Sequence, residues 1–338
     1  PSSGTALQPL IGPESYNAPS IKRFRDYLEE RYSPPDYKKV ILLLPCSARK
    51  PYSESKSHKR FQRAIESALG LGISEVAETI ITSPLGVIPR ELERIFPIAQ
   101  YDIPVSGDWD AEEIQIAVDA LVKHLSKFSD SAVVVAHVHG GYLDIVRGAE
   151  DQIQQSIIYT TSEQSPTSSN SLDALSETLQ DLKEVLSMEC RSSRQLEEIL
   201  RATADFQFGF GTGATLIPDD SKLGGKPYRM ITCRVEGEQI CAYIASSGSL
   251  SLTLDGAELL SPLNRYWVRF EGSLLKGGSL FAVGIEDADD RIRPGDEVVI
   301  LSRDNNVIGV GRSEMSGSEM CEFNNGRAIS VRHKVEVK

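Results

Sequence analysis

The sequence predicts an α/β fold: a three-layer domain with a mostly parallel sheet, then a small α+β domain and a C-terminal all-β domain. Over the first 160 or so residues, apolar runs that fit buried strands alternate with amphipathic helical segments, as in sheets built from βαβ units. A low-complexity polar stretch at residues 161–172 then fits a flexible linker. Further on, short alternating strands separated by Gly, Asp and Ser turns take over. We therefore expect three domains, residues 1–190 with the linker included, 191–261 and 262–338.

Each element of the first domain follows from a local pattern. Ser20 fits the N-cap of a helix that extends to about residue 31. The apolar run 40–44 predicts a buried strand that stops at Pro45. Helices are expected after Pro89 and after Gly140-Gly141. The other predicted elements are helices at 59–69 and 110–127 and strands at 78–82, 101–105, 132–137 and 153–160.

The second and third domains are predicted from shorter signals. Helices are expected at residues 172–188 and 194–202. Alternating apolar and polar residues then predict strands, and short strands with Gly and Asn turns continue to the end of the chain. The strands expected in the second domain are 206–211, 228–235, 239–245 and 249–254.

Composition excludes several classes of protein. No apolar run approaches the roughly 18 residues that a membrane span needs, so we predict no membrane partner. The five cysteines are an odd number without a CxxC pair, which argues against a disulfide framework or a cysteine-based zinc site and favours a cytoplasmic protein. We predict no metal and no cofactor.

Charge is distributed unevenly along the chain. The net charge of −12 by itself speaks against a nucleic-acid partner. Residues 22–63 nevertheless hold twelve Lys and Arg against five Asp and Glu. A charge run can be no more than a solvated face, but its position beside a polar loop favours binding of an anion.

That polar loop, residues 45–58, follows the strand predicted at 40–44 and is dense in reactive side chains. In open α/β sheets, ligands bind in the crevice beyond the carboxyl ends of the strands. A thiolate is the strongest nucleophile among these side chains, so Cys46 is the expected nucleophile. Arg49, Lys50 and His58 are expected to lower its pKa.

The last 75 or so residues resemble a PUA domain, and residues 268–285, 292–298, 309–313, 318–320 and 326–333 carry the resemblance. PUA domains are small β-pseudobarrels on RNA-modifying enzymes, so the resemblance implies a unit that holds the tRNA acceptor end or another helical stem. Glycine lets the backbone approach a phosphate closely, and cations lie nearby. Alternatively, Gly277 and Gly278 make only a turn and Arg332 is a surface charge. The expected RNA-binding residues are Lys276, Gly277, Gly278, Arg332 and His333.

The rest of the chain resembles archaeosine synthase, an archaeal transferase that modifies tRNA. The resemblance rests on the loop 45–58 with Phe61 after it and on residues 83–93, 101–110 and 135–142. It implies a reaction on 7-cyano-7-deazaguanine in the D-arm of tRNA, in which free lysine adds to the nitrile and a radical-SAM partner enzyme cleaves the amidine adduct. Glutamine or ammonia is the alternative donor. The large transglycosylase-like N-terminal domain common in the family is absent, which implies a separate subunit or a fragment.

Two routes are open for this chemistry. In one, Cys46 adds to the nitrile as a thiolate, and the amine displaces the resulting thioimidate. In the other, the amine attacks directly and Cys46 only lines the pocket. Either route needs an acidic side chain to accept or hold the proton of the ammonium group. Asp102 and Asp110 are the candidates.

The remaining polar residues each have a functional and a structural interpretation. His58 fits a general acid or base, a phosphate donor or a helix cap, and Arg90-Glu91 fits a substrate clamp or a helix start. Trp109 fits stacking on an everted base, or a core residue. Of His137 and His139, we expect one to line the pocket rather than both to bind zinc. The predicted catalytic residues are Cys46, Lys50, Tyr52, Ser53, His58 and Asp102, and the predicted substrate-binding residues are Ser47, Ser57, Pro89, Arg90, Glu91, Trp109 and His139.

The element order of residues 40–160 is also compatible with the three-layer fold of uracil-DNA glycosylases, which would suit a flipped base. Two rival functions are a non-catalytic subunit that docks tRNA for a partner enzyme and a base-excising glycosylase. The density of reactive groups in residues 45–58 argues against the first. The lack of a water-activating acid after the first strand argues against the second.

Overall fold

The structure is a computed structural model that describes residues 8–9, 13–102, 109–161, 164–188 and 194–336. The chain forms two compact units, Pro1–Glu198 and Ile199–Lys338, each with its own β-sheets. No helix in the described ranges is both long and apolar enough to cross a bilayer.

Unit 1 alternates strands and helices. Two-residue strands at its start and middle, β1 and β5, pair in parallel with each other. Single 3₁₀ turns connect several of the longer elements, among them Tyr52–Glu54 and Arg90–Leu92. In chain order the elements are β1 (Gln8–Pro9), α1 (Pro13–Asn17), α2 (Pro19–Arg31), β2 (Val40–Pro45), α3 (Lys56–Leu69), β3 (Val76–Thr82), β4 (Gly86–Pro89), β5 (Tyr101–Asp102), α4 (Ala111–Leu125), β6 (Val133–Ala136), α5 (Gly141–Glu150), β7 (Ser156–Tyr159) and α6 (Ser169–Val185).

Strand β2 lies at the centre of the main sheet of unit 1. The strand order is β4-β3-β2-β6-β7, in which β2 pairs in parallel with both β3 and β6, β7 is parallel to β6, and β4 is antiparallel to β3. The chain builds β3 and β4 on one side of β2 and then returns to build β6 and β7 on the other. The order therefore reverses between β2 and β6, and such a switch point is where open α/β sheets bind ligands.

Helices cover both faces of this sheet. On one face, Leu42 lies in an apolar core with Leu175 of α6 and the buried side chains of α3. On the other face, Thr79, which is in register with Leu43, has its hydroxyl 2.9 Å from the His124 ring of α4. Successive strand residues point to opposite faces, so neighbouring residues of β2 reach different helix layers. The predicted three-layer, mostly parallel sheet is confirmed, and its likeness to uracil-DNA glycosylases stays a prediction.

Unit 2 contains two sheets with short helices around them. The first is antiparallel, in the order β11-β10-β9-β8. The second has the order β13-β17-β16-β15-β12-β14, with β12 parallel to β15 and the other pairs antiparallel. The elements are α7 (Gln195–Phe208, which begins four residues before unit 2), α8 (Thr212–Leu216), β8 (Lys222–Lys226), β9 (Met230–Val235), β10 (Glu238–Ile244), β11 (Ser249–Leu252), α9 (Leu254–Leu260), β12 (Trp267–Phe270), β13 (Ser279–Phe281), β14 (Ile285–Ala288), β15 (Glu297–Leu301), β16 (Val307–Ser313), α10 (Gly317–Glu322) and β17 (Arg327–Lys334).

Two sequence predictions fail in part. Residues 206–208 continue helix α7 instead of forming a strand, and the helix ends at Gly209, whose φ of +107° favours glycine. Residues 169–172 belong to helix α6 rather than to a linker, because the Ser168 hydroxyl caps that helix by accepting a hydrogen bond from the Ser171 N–H at 3.2 Å. The strand predicted at 101–105 is described only at Tyr101–Asp102. The division into three domains stays a prediction.

Candidate functional site

The predicted reactive loop begins at the switch point of the unit 1 sheet. Cys46 follows β2 directly, and its backbone N–H donates to the Ile81 carbonyl of β3 at 3.2 Å. Thr82 ends β3, and Tyr142 lies in the first turn of α5, after β6. The carboxyl ends of neighbouring parallel strands meet at one edge of a sheet, so these three segments converge around Cys46.

Cys46 is a half-buried thiol between two hydroxyl groups. Its Sγ lies 3.0 Å from Tyr142 Oη, and the Thr82 side chain also hydrogen-bonds to it. Burial raises the pKa of the Cys46 thiol, and the hydrogen bonds of Tyr142 and Thr82 and the charge of Lys50 oppose that rise without cancelling it. Lys50 thus acts in the predicted direction, but the predicted net lowering of this pKa is wrong, because burial has the larger effect. Burial therefore favours the protonated thiol over the thiolate.

Trp109 extends this site with an aromatic surface. Its half-buried indole meets the Tyr142 ring edge to face, with the ring centroids 4.8 Å apart and an angle of 76° between the planes. Cys46, Tyr142 and Trp109 thus form one continuous set of thiol, phenol and indole, which we call the Cys46 site. The structure therefore brings Trp109 to the predicted nucleophile.

His58 is fully buried and is hydrogen-bonded at both ring nitrogens. Its Nε2–H donates to the Pro45 carbonyl at 3.0 Å, and its Nδ1 accepts from Arg90 Nη2 at 2.8 Å. A carbonyl only accepts and a guanidinium only donates, so the ring is neutral with its proton on Nε2. Burial and then the charge of Arg90 hold the pKa of His58 well below its usual value. His58 therefore positions the residue before Cys46 and has neither nitrogen left for a substrate.

Arg90 is the centre of a buried ionic network under the loop. Its Nε and Nη2 donate to Glu78 Oε2 at 3.0 and 2.7 Å, and its Nη1 donates to Glu93 Oε2 at 3.0 Å. Glu93 in turn accepts from the Ser53 backbone N–H at 2.9 Å and from the Ser53 hydroxyl. Arg90 and Ser53, predicted as substrate-binding and catalytic, hence tie the reactive loop to β3.

Arg90 and the adjacent Glu91 bind different partners, and a substrate clamp formed by the two stays a prediction. Glu91 accepts a hydrogen bond from Tyr32 Oη at 2.6 Å, and burial raises the pKa of its carboxyl. Pro89, also predicted to bind substrate, is buried in β4 opposite Thr79.

Other residues of the loop hold its shape. Tyr52 is fully buried, with its ring centroid 5.5 Å from that of His58 and 5.8 Å from Lys50 Nζ. The Ser47 hydroxyl donates to the Arg49 carbonyl at 3.0 Å. These contacts fix the path of the chain on both sides of the loop.

The N-terminus of α3 adjoins the same loop. Ser55 caps this helix by accepting a hydrogen bond from the His58 N–H at 3.2 Å, and Ser57 Oγ lies 3.2 Å from Ser55 Oγ. Ser57, predicted to bind substrate, thus belongs to the helix start.

The two predicted acids differ in how far the structure describes them. The side chain of Asp102 lies outside the described residues. Asp110 forms a capping box at the start of α4: its Oδ1 accepts from the Glu113 N–H at 2.8 Å, and Glu113 Oε2 accepts from the Asp110 N–H at 3.3 Å. Asp110 thus has a structural role in holding α4.

The paired histidines after β6 have different surroundings. His137 is buried, its Nε2–H donates to the Pro166 carbonyl at 2.7 Å, and its Nδ1 accepts from Thr160 Oγ1 at 2.8 Å. Burial lowers the pKa of His137 to about 4. His139, predicted to bind substrate, is exposed. In the described parts of the chain, no three His, Cys, Asp or Glu side chains cluster as metal ligands would.

In unit 2 the predicted RNA-binding residues lie on or just before two paired strands of the six-stranded sheet, β13 and β17. Gly278 accepts a hydrogen bond from the Val331 N–H at 2.9 Å, which sets the exposed segment 276–278 beside β17. Arg332 Nη1 donates to Glu297 Oε2 at 2.9 Å, and its Nη2 donates to the Leu252 carbonyl at 3.0 Å. Arg332 therefore has a structural role between the two sheets of unit 2, whereas Lys276 and His333 are exposed.

Sequence reasoning missed several residues of the Cys46 site and its support. Thr82 and Tyr142 could have been found, because each ends or follows a predicted strand of the parallel sheet. Glu78 and Glu93 carried no signal, since the arginine that joins them to His58 is 32 residues from that histidine in sequence.

Three known protein families match successive parts of the chain. A domain of unknown function, DUF5591, matches residues 21–179. The patch-forming domain C2 of tRNA-guanine transglycosylase matches residues 198–266, and the PUA domain matches residues 270–335. The predicted PUA domain is thereby confirmed.

Whole-chain comparisons agree with the predicted family. Archaeosine synthase subunit alpha of Thermococcus kodakarensis is 40% identical over 96% of this chain and 56% of its own length. The protein of the same name from Methanosarcina acetivorans is 38% identical over 95% of this chain and 50% of its own length. The crystal structure of AF0587, a protein of unknown function, is 30% identical with a TM-score of 0.69, over 94% of this chain and 99% of that one. Nearly the whole chain is therefore homologous to archaeosine synthase subunits, and it spans about half the length of the curated relatives it matches.

Proposed function

We propose that this chain is a tRNA-modifying transferase of archaeosine biosynthesis that acts on 7-cyano-7-deazaguanine in the D-arm of tRNA. The names of its relatives support the pathway, and the PUA match at residues 270–335 supports an RNA substrate. Because the chain spans about half of those relatives, their activity is carried over as part of the proposal.

The observation that carries the proposal is the Cys46 site itself. A thiol, a phenol 3.0 Å from it and an indole packed on that phenol lie at the switch point of a parallel sheet. An indole face binds a planar base by stacking, and a phenol hydroxyl can donate to a nitrile nitrogen or stabilise a thiolate. This combination suits a flipped nitrile base held next to a nucleophile.

The proposed reaction adds an amine, with free lysine as the donor, to the nitrile carbon. One C–N bond forms, the C≡N triple bond becomes a C=N double bond, and the proton that the amine loses ends on the former nitrile nitrogen. The amidine product keeps every atom of both reactants, so the reaction requires no oxidant, reductant or leaving group.

Cys46 has one of two roles in this reaction. In the covalent route its thiol loses a proton, sulfur bonds to the nitrile carbon, and the amine then displaces sulfur and restores the thiol. The raised pKa of Cys46 makes that deprotonation costly, and the hydrogen bonds of Tyr142 and Thr82 reduce the cost by stabilising the thiolate. In the direct route, amine attack forms the only new bond to carbon and Cys46 lines the pocket.

Partners are part of the same proposal. The relatives are called subunit alpha, which supports a second chain in their complexes. We propose a radical-SAM enzyme that cleaves the lysine adduct, a separate transglycosylase-like subunit, and a cytoplasmic site of action.

Mass spectrometry of tRNA tests the function. A tRNA carrying 7-cyano-7-deazaguanine is incubated with the chain and lysine. The tRNA is then digested to nucleosides, and their masses are measured. We expect a gain of one lysine mass with the wild type, and the same gain with Cys321→Ala, which removes an exposed cysteine of unit 2. Cys46→Ala and Cys46→Ser separate the two routes: loss of the gain in both supports the covalent route, and an undiminished gain supports direct attack.

A second reaction without lysine looks for the covalent intermediate. On the covalent route, a protein–tRNA adduct accumulates with the wild type and is absent with Cys46→Ala. If the wild type binds the tRNA but adds no lysine, the transferase proposal is wrong and the chain is a docking subunit.

A further inference from the structure

Helix α3 carries a stripe of four cations on its solvent face. Its apolar face is buried through residues such as Phe61 and Ile65, which fixes the opposite face toward solvent. On that exposed face the spacing is i, i+3, i+4 and i+7, so the cations lie one above another over about 10 Å. The stripe consists of Lys56, Lys59, Arg60 and Arg63, all of them exposed.

The stripe is unfavourable for the helix that carries it. Like charges three and four residues apart repel one another on a helix. Lys56 opens the helix, where the macrodipole favours an anion, and the first turn has no acidic residue to compensate. None of the four cations forms an ion pair or hydrogen bond through its side chain with a residue that the structure describes. A surface that costs the folded chain stability in this way fits a role in binding an anion.

The stripe starts beside the Cys46 site. Ser55 caps α3 immediately before Lys56, and His58, between Lys56 and Lys59, binds the Pro45 carbonyl at 3.0 Å. His58 therefore joins helix α3 to Pro45, the residue before Cys46, and so sets the orientation of the stripe relative to Cys46. A polyanion lying along the stripe would be held next to the predicted nucleophile.

The neighbouring helix has the opposite charge. Helix α6 packs on α3, with the Ser176 hydroxyl donating to the Ala64 carbonyl at 3.4 Å. Its exposed face carries acids at helical spacing, and these repel a polyanion from that side of α3. The acids are Asp173, Glu177, Asp181 and Glu184.

We propose that the α3 stripe binds the sugar–phosphate backbone of the tRNA whose base enters the Cys46 site. Four cations in a row without protein partners complement a row of phosphates, and the acids of α6 confine the backbone to one side. This inference deepens the proposed function and rests on it for the identity of the RNA.

Salt-dependent binding tests the stripe. Fluorescence anisotropy measures the affinity of the full chain for an unmodified tRNA transcript between about 50 and 400 mM KCl, a range over which phosphate contacts dominate. Removing two contacts with Arg60→Gln/Arg63→Gln should reduce the slope of log K against log salt by about 1.4 to 1.8. The corresponding loss of affinity at about 0.1 M salt is roughly 25- to 60-fold.

The matched control is Lys22→Gln/Arg23→Gln. It removes the same charge from two exposed residues of α2, a helix that packs with α4 through the Lys123–Glu29 ion pair of 2.8 Å, on the other face of the sheet. We expect its slope and affinity to match the wild type. Equal losses of affinity in the two variants would mean a general charge effect and would overturn the proposal. An unchanged salt slope in the Arg60/Arg63 variant would overturn it as well.

The lysine-addition assay separates this proposal from the proposed function. If the wild type adds lysine while the Arg60/Arg63 variant keeps its salt slope, the stripe proposal is wrong and the function stands. If the slope falls as expected but the wild type adds no lysine, backbone docking stands and the transferase chemistry is wrong.

Discussion

Replacing Arg90 with Met would test whether the buried ionic network fixes the reactive loop. Arg90 links two glutamates and His58, and the side chains of Arg90, Glu78 and Glu93 are only 11, 11 and 8% exposed. Met has a similar length but no charge and no donor. The variant therefore leaves two buried carboxylates without their cation and His58 Nδ1 without its donor.

The expected loss of stability is large. Removing one partner of a buried ion pair costs about 3–5 kcal/mol, because the other charge stays buried. Unit 1 has 198 residues, and for units of this size each kcal/mol changes the melting temperature by about 2–4 °C. We therefore expect a melting temperature about 6–20 °C lower. The deficit should shrink as the pH falls from 7 to 5, since uncompensated buried carboxyls have raised pKa values and become neutral by protonation.

Urea unfolding at pH 7 and pH 5 would measure both effects, with Arg49→Met as the control. Arg49 is 69% exposed and lies 3.5 Å from Glu54, so its loss should change the unfolding free energy by no more than about 0.5 kcal/mol. Arg90→Lys should recover only part of the loss, since an ammonium group cannot bridge three partners as a guanidinium does. A change below about 1 kcal/mol for Arg90→Met would refute the reasoning.

Two further predictions concern titrating groups. Tyr142→Phe removes a hydrogen bond that lowers the pKa of Cys46, so the pH midpoint of Cys46 alkylation by iodoacetamide should rise. Peptide mass spectrometry would follow the alkylation, and an unchanged midpoint would contradict this. Burial lowers the pKa of His124 to about 3 and of His137 to about 4, whereas both titrate near 6.5 when unfolded. Below about pH 6.5 the unfolded chain thus binds more protons, and stability should fall by about 1.4 kcal/mol per pH unit for each histidine. Urea unfolding at pH 7, 6 and 5 should show this slope, and His124→Gln should reduce it.

The fold of unit 1 was largely predictable because its strands and helices have strong local signals. The apolar run at β2 and the amphipathic pattern of α4 appear directly in the sequence. Strand β4 was missed, because its four residues begin with a glycine and end with a proline and so resemble the end of a loop. Residues 206–208, which contain two phenylalanines, resemble a strand because a helix that is buried on several sides loses its polar face and with it the helical period.

The reactive loop was predictable in position but not in function residue by residue. The end of an apolar strand indicated where Cys46 would lie, and the parallel sheet brought Tyr142 to it. The roles of His58 and Arg90 depend on contacts between distant segments, which spacing does not reveal. The direction of the Cys46 pKa shift depends on burial, which outweighs the nearby charges that the sequence shows.

The cations of this acidic chain show why net charge is a poor guide to a partner. Arg90 and Arg94 direct their charges inward to Glu78, Glu93 and Glu54, where they hold the loop. The four cations of α3 lie close by in sequence but keep their charges in solvent. Only such unpaired charges act on an external polyanion, because a paired charge must lose its partner before it can bind another. A net charge of −12 therefore leaves room for a local RNA-binding surface, and the pairing of each cation decides where that surface lies.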